Sequence, residues 1–380
     1  MLPAPSLLIM SFFNLVLKNV LRRSSRSALT IIGIAIGIAA VVSLTSIAWG
    51  FERGWAHIYQ ARGTDLVVTK KVARSTMPMP FPETIKPELQ AMSHVLEVSG
   101  VLSDVFGVED SPAIVVTGLE QGTSSWDHLK LASGHWPDAK NTVVIGTIAA
   151  EMIGKSVGDK LQIDTEEYTV SGIFSSPALT ENGTVIMPLP EMQSLMNRRG
   201  MVNFFDMRLD PGISAVESVR LREMIKARFP DLTAFSPGAV AQNNMAIQAA
   251  KAMSLATSLI ALVVGAVGVM NTILMSVFER LQEIGVLLAI GWRRARIMRM
   301  ILFESLLLSF VGGTAGCGLG LVATHMLQTS PWIRGKLEGE FSPMLLGGAL
   351  LIALALGALG GFYPAWLGSR MSPMTALRHQ

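Results

Sequence analysis

A single cysteine, three tyrosines and only 16% charged residues leave this chain of 380 residues poorly equipped for covalent or acid–base chemistry. With Cys317 as the sole thiol, no disulfide can form within the chain, so every folded part must rest on an ordinary core. No serine sits in a G-x-S-x-G elbow. His57 and His94 stand apart in the sequence, and His128 and His135 lack a partner at metal-ligand spacing. Met77 and Met79 could bind a soft metal, but in a chain with 22 methionines they read as loop residues. No catalytic constellation emerges, and nothing points to nucleic acid.

Charge is most absent in four stretches, Ser27–Phe51, Ala252–Phe278, Ser305–Ile333 and Phe341–Ser369, which contain no Asp, Glu, Lys or Arg. Each exceeds the roughly 20 apolar residues that carry a helix across a bilayer. Glu304 and His325 are the only ionisable residues close to membrane depth, and Glu304 reads as a snorkelling or paired group. Without a line of polar groups the four helices form no hydrophilic conduit, which disfavours ion-driven transport. The first stretch is too long for a signal-peptide core and reads as an uncleaved anchor.

Basic residues set the orientation. Lys18, Arg22, Arg23 and Arg26 precede the first span; Arg280, Arg293, Arg294, Arg296 and Arg299 follow the second; Arg370 and Arg378 follow the fourth. Those three segments hold eleven basic residues against the acids Glu279 and Glu283, whereas the whole chain is only +3. The loop after the third span is balanced, Arg334 and Lys336 against Glu338 and Glu340. The positive-inside rule then puts both termini and the middle loop in the cytoplasm and residues 52–251 outside. Ser11–Arg23 carries Phe12, Phe13, Val16 and Val20 at helical spacing, with Lys18 and Arg22 on another face, as suits a helix lying on anionic membrane lipid.

The expected organisation is a cytoplasmic segment 1–26, a span 27–51, an extracytoplasmic domain 52–251 and a span 252–278. A cytoplasmic connector 279–299, a span 300–327, a short outer loop 328–343, a span 344–369 and a tail 370–380 complete it. The fold class is an α-helical membrane protein with four transmembrane helices and a mixed α+β domain between helices 1 and 2. Strands are expected at Asp65–Thr69, Ala113–Thr117, Asn141–Ile145, Tyr168–Phe174 and Val185–Met187, where β-branched runs meet turn residues. Helices are expected at Pro87–Glu97, Thr147–Ile153, Pro190–Asn197 and Ala215–Arg228, and an extended exposed loop at Thr76–Pro82.

Within the spans, Gly312, Gly316 and Gly320 repeat every four residues, as do Gly33 and Gly37, a spacing that lets helices approach closely within one chain or across a dimer. Between the second and third spans, Phe278, Leu281, Ile284 and Leu288 form a helical stripe, with Glu279, Arg280 and Glu283 on other faces. Gly291 offers a helix stop before Trp292 and the arginine cluster. By pattern alone this segment fits a docking surface and a plain charged connector equally.

The run Asn271–Arg294 resembles the signature of the MacB/FtsX-type ABC transporter permeases. The resemblance continues through Glu304 and Gly312-Gly313 to Tyr363-Pro-Ala365 and Ser372–Arg378, and Asp138–Val144, Val157–Asp159 and Ser171–Phe174 resemble that family's extracytoplasmic core domain. It implies a permease in the bacterial inner membrane that works as a dimer, with an identical copy or a related paralogue, above two cytoplasmic ATPases, with a periplasmic adaptor as a further candidate partner. Residues 279–294 would then form the coupling helix. Glu279, Arg280 and Glu283 would make polar contacts to the ATPase, Ile284, Gly285, Leu288 and Ala289 would pack against it, and Gly291 would turn the chain toward Arg293 and Arg294. No G-x-x-x-x-G-K-[ST] run occurs in the sequence, so ATP and Mg would be bound by a separate ATPase chain and no cofactor is expected here. The implied work is mechanical: ATPase motion drives the extracytoplasmic domain to export a substrate or extract it from the outer leaflet. Regulation of a cell-wall hydrolase and lipoprotein release are the alternatives within the family.

Overall fold

Apolar runs too long for a soluble core become four long helices in the computed structural model, which describes residues 24–71, 78–109, 111–243, 245–330, 339 and 341–370. These are α1 (Ser24–Ala61) near the start, α7 (Met245–Glu279), α9 (Arg294–Thr329) and α10 (Pro343–Arg370), all long and apolar enough to cross a membrane. Each extends past the uncharged stretch that announced it, most of all α1, which runs ten residues beyond Phe51 without a break. The expected surface helix Ser11–Arg23, the charges at 334, 336, 338 and 340, and Ser372–Arg378 lie outside the described residues. The described residues divide into two units, one holding the chain up to Ser46 with Ala252–Met326 and α10, the other holding Ile47–Lys251.

In the first unit, small residues decide which helices meet. A side chain at Gly312, Gly316 or Gly320 would lie within 2.9 Å of atoms of Ile34, Ala35, Ile38 or Val42, so α9 and α1 pack backbone to backbone along that stripe. The second expected pair behaves differently. Gly33 has nothing within 4 Å of its would-be Cβ, and Gly37 makes only ordinary contact with Ala261. Further close approaches belong to α10, where Gly357 and Gly361, also four residues apart, fit against Ser309 and Ser305, and Gly360 fits against Val269.

The second unit is built on a ten-stranded mixed sheet. Its strands are β1 (Leu66–Lys70), β3 (Val95–Val108), β4 (Ser111–Leu119), β5 (Lys130–Gly134), β6 (Thr142–Gly146), β7 (Lys160–Ile163), β8 (Glu166–Ser175), β9 (Val185–Pro188), β11 (Phe204–Leu209) and β12 (Leu232–Phe235). They run in the order β12-β1-β11-β3-β4-β9-β6-β8-β5, with β7 joining β3 and β8. Most pairs are antiparallel; β4 with β9 and β6 with β8 are parallel. A two-residue strand β2 (Phe81–Pro82) pairs with β10 (Met201–Val202). Helices α2 (Lys86–Gln90), α3 (Thr147–Ile153), α4 (Leu189–Leu195), α5 (Ala215–Arg228) and α6 (Pro237–Asn243) complete the domain.

Strand alternation gives this sheet two buried faces. Leu66 and Val68 on β1, with Val143, Ile145 and Phe205, join Leu89, Met192, Leu221 and Ile225 from the helices in one core. Val67 points the other way with Val101, Val144, Phe174 and Phe204, onto Tyr59 and Trp55 near the end of α1. At roughly 1.5–3 kcal/mol per fully buried large side chain, these two cores dominate the domain's stability, as a chain without disulfides requires. Helix α5 starts on a capping box in which Ser214 and Glu217 satisfy each other's backbone N–H groups.

Two expectations fail for identifiable reasons. The helix foreseen at Pro87–Glu97 stops at Gln90, and after a turn with His94 at φ 68° the chain enters β3. Pairing with β11, Glu97 opposite Arg208 and Val95 opposite Leu209, claims Val95–Glu97 for the sheet. In the stretch Thr76–Pro82, residues 76 and 77 lie outside the described residues, but Phe81 is not exposed loop: it is buried against Phe205 at 5.6 Å between ring centroids.

Candidate functional site: the connector between the second and third spans

Two helices meet at Arg280 with a change of direction rather than a loop. Helix α7 ends at Glu279, Arg280 leaves helical geometry at φ −110° and ψ 16°, and a short helix α8 (Leu281–Ala289) begins at once. Its end is closed by two hydrogen bonds: the Gly291 N–H donates to the Leu288 carbonyl and the Trp292 N–H to the Leu287 carbonyl, each at 3.0 Å. That bond pair needs a left-handed residue after the helix cap, and Gly291 supplies it at φ 97°. The chain then enters α9, where the Arg296 guanidinium lies 4.8 Å from the centre of the Trp292 ring.

The inward side of the connector is held by a buried ion pair. Arg280 Nη1 donates to Glu304 Oε2 at 2.9 Å, both side chains being under one tenth exposed, and Ser276 of α7 donates to the other Glu304 oxygen at 3.4 Å. Arg280 Nε reaches Glu283 Oε2 at 3.3 Å on the exposed side. Glu304 is thus a paired residue bridging α7, the start of α8 and α9. Ile284 is 2% exposed and Gly285 is buried beside it, and α8 makes contact with α10, so this side of α8 rests on the membrane unit.

This sorts the ten residues singled out by sequence. Arg280, Ile284 and Gly285 face inward, contrary to the expectation that they would meet a partner; the buried carboxylate of Glu304 and the packing of α8 claim them. Leu288 is half-buried. Glu279, Glu283, Ala289, Gly291, Arg293 and Arg294 are exposed. Sequence reasoning missed Val286 and Ile290, which are 45% and 72% exposed and recur at helical spacing with Glu283. The resulting outer face is apolar at its centre and charged at both ends. The 100° step per residue held the signal, but the stripe Leu281–Ile284–Leu288 is the anchoring face and its neighbour is the open one.

A second cluster, in the mixed α+β domain, was invisible in sequence. Arg62, just past the end of α1, lies between two carboxylates: Nη2 is 3.0 Å from Glu181 Oε1 and Nη1 is 3.2 Å from Asp206 Oδ2. The other Glu181 oxygen accepts from Ser176 at 2.6 Å and meets His128 Nε2 at 2.7 Å. All of these groups are buried. Burial would raise the Glu181 carboxyl, but the Arg62 charge and the bonds from His128 and Ser176 outweigh it and hold it at about 2. Asp206 goes the other way: burial pushes it up, the Arg62 charge only partly offsets this, and Glu181 adds to the rise. The arginine remains charged throughout, since its two acids overcome the effect of burial. Lower along the same unit, Glu52 on α1 pairs with Lys251 on α7.

Four apolar helices, a mixed α+β domain inserted after the first, and a short half-exposed helix between the second and third define a polytopic membrane protein. A family profile described as MacB-like periplasmic core domain matches residues 27–220, and one described as FtsX-like permease C-terminal matches residues 255–373. The chain belongs to the MacB/FtsX-type family of ABC transporter permeases, whose members work with an ATPase. An uncharacterized ABC transporter permease of Methanocaldococcus jannaschii is 26% identical over 95% of this chain and 96% of its own length. The macrolide export ATP-binding/permease protein MacB of Nitrobacter winogradskyi is 28% identical over 93% of this chain, which spans 58% of that longer protein. The pyoverdine export ATP-binding/permease protein of Pseudomonas fluorescens is likewise 28% identical, with 57% of its length spanned.

Proposed function

We propose that this chain is the membrane permease of a mechanotransmission ABC transporter, in which ATP and Mg act in a separate ATPase subunit that docks on α8. The observation that carries this reading is the division of α8 into two faces. One face is fixed to the spans by the Arg280–Glu304 pair and Ile284; the other presents Glu283, Val286, Ala289 and Ile290 to a partner. A helix held on one side and open on the other moves the spans when its partner moves. Helix α1, which continues unbroken from the apolar run to Ala61, is suited to carry that motion to the mixed α+β domain. The work would be done outside the cytosol, as export from the periplasm or extraction from the outer leaflet. The permease would act as a dimer of identical or related chains, with both termini cytoplasmic, and with an adaptor as a further partner.

The test is a pull-down of the detergent-solubilised chain from its native cells, with ATPase activity measured on what co-purifies. Recovery of a P-loop ATPase that is lost in Glu283→Lys combined with Arg294→Glu is the expected result. Undiminished recovery with that double variant would sink the docking assignment.

A further inference from the structure

The mixed α+β domain carries an aromatic cleft that the mechanical reading does not use. It has a volume of about 360 Å³ and is walled by Trp126, Trp136, Pro137, Leu129, Gln121 and Asp127, within the usual range for small-molecule sites. The two indoles meet edge to face at 5.5 Å and 84°, Trp126 also packing on the core and Trp136 reaching the surface. Trp136 is 37% exposed. The walls are braced: Trp126 Nε1 donates to the Glu120 carbonyl at 3.1 Å, and Gln121 Nε2 to the Pro137 carbonyl at 2.9 Å.

The only charged side chain on the cleft is Asp127, which is exposed and makes no ion pair among the described residues. No lysine or arginine lines it. Indole faces attract cations through their quadrupole, and a carboxylate beside them strengthens the preference while repelling anions. The wall also touches the buried charge cluster through the chain itself. Trp126, Asp127 and Leu129 line the cleft, while His128 between them turns inward to Glu181, which holds Arg62 beyond the end of α1.

We infer that the Trp126–Trp136 cleft is a binding site for organic cations with an aromatic or apolar body, and that its occupancy is relayed through His128 and Glu181 to the end of α1. The relay rests on the mechanical reading of α1 given above; the binding site does not, and the two are read out separately. The full chain in lipid nanodiscs is titrated with benzyltrimethylammonium, binding being followed by saturation-transfer NMR against empty nanodiscs. Benzenesulfonate, of similar size and opposite charge, is the comparison ligand. The cation should bind at least tenfold more tightly than the anion. Asp127→Asn, an exposed and nearly isosteric change, should erase most of that preference, and Trp136→Leu, which keeps an apolar side chain but no π-face, should weaken cation binding about tenfold. Equal binding of cation and anion, an unaltered preference in Asp127→Asn, or no transfer above the empty discs would overturn the site. Amide exchange over residues 55–62 should slow when the cation is added to the wild-type chain. Binding without that slowing overturns the relay and leaves the site standing.

Discussion

Arg62 and Arg280 are both buried arginines that follow long apolar helices, yet they do different work. Arg62 is enclosed by two buried carboxylates, and one of these, Glu181, is itself held by Ser176 and His128. Arg280 has one buried partner, Glu304, and one, Glu283, that is 58% exposed. The first arrangement has no exposed member and locks the chain after α1 to the sheet over several elements, although Asp206 Oδ1 and His128 Nδ1 are buried without a hydrogen-bond partner. The second is a joint: one strong bond inside, one weak bond at the water's edge, and a helix whose other face is open. A buried pair broken on one side costs far more than an exposed one, because the remaining charge keeps its desolvation penalty.

That contrast sets the largest effect expected from breaking an ion pair. Glu181→Gln leaves Arg62 with one acid whose carboxyl burial already pushes up, and should destabilise the mixed α+β domain by about 3 kcal/mol. For a domain of this size the thermal midpoint would fall by roughly 6–12 °C. The pH dependence has a definite sign. The Glu181 carboxyl is depressed from 4.5 to about 2, so its contribution is complete above pH 4.5 and fades as pH falls toward 2. Asp206, being raised, acts in the opposite sense: its contribution is complete at low pH and is lost as pH rises through its elevated pKa. The gap between wild type and Glu181→Gln, measured by differential scanning calorimetry, should therefore be wide at pH 7 and narrower at pH 3. A gap that widens on acidification would show that Glu181 is not the ionised member of the cluster.

At the joint the effect should be smaller and partly reversible. Arg280→Glu strands Glu304 beside a second acid, and Glu304→Arg strands Arg280 beside a second base; each should lower stability by about 2–3 kcal/mol. The double exchange restores opposite charges across the same helices and should recover about half of the loss, a coupling that a double-mutant cycle in detergent measures directly. Additive losses would mean that the two side chains do not share one bond, and the joint would then have to be placed elsewhere.

The two arginines also show what could be read before the fold was known. Arg280 and Glu304 lie 24 residues apart on either side of one turn, so a paired Glu304 near the end of a span was foreseeable, although its partner was assigned to another role. The four spans and the strands around Val67, Val116, Val144 and Val170 were legible because local hydrophobic pattern encodes them. Strand β3 was not, since Ser99, Gly100 and Ser103 break its alternation and its place is fixed by neighbours up to 18 positions away on β4 and 103–114 positions away on β11. Arg62, His128, Glu181 and Asp206 are drawn together from four separate segments, and no spacing rule connects them. The glycines of α10 were legible in part: Gly357 and Gly361 repeat at four residues and both face α9, so the spacing rule covers them, whereas Gly360 faces α7 and belongs to no repeat.

The smallest expected change in stability tests the assignment of faces on α8. Ile290 is 72% exposed and Ile284 is 2% exposed, six residues apart on one short helix and its cap. Ile284→Ala removes buried methylene groups and leaves a cavity, a change that costs about 2–4 kcal/mol whatever the helix docks against. Ile290→Asp removes a side chain that already faces water, so stability should stay within about 0.5 kcal/mol. If the open face receives the ATPase, however, that aspartate would be buried without a partner at the centre of the interface. Co-purification of the ATPase should then fall at least tenfold while the unfolding midpoint barely moves. Ile284→Ala should show the reverse, a lowered midpoint with the ATPase still bound to the molecules that remain folded. If both variants lowered the midpoint and kept the ATPase, α8 would be a structural hairpin between two spans, and the docking surface would lie on another part of the chain.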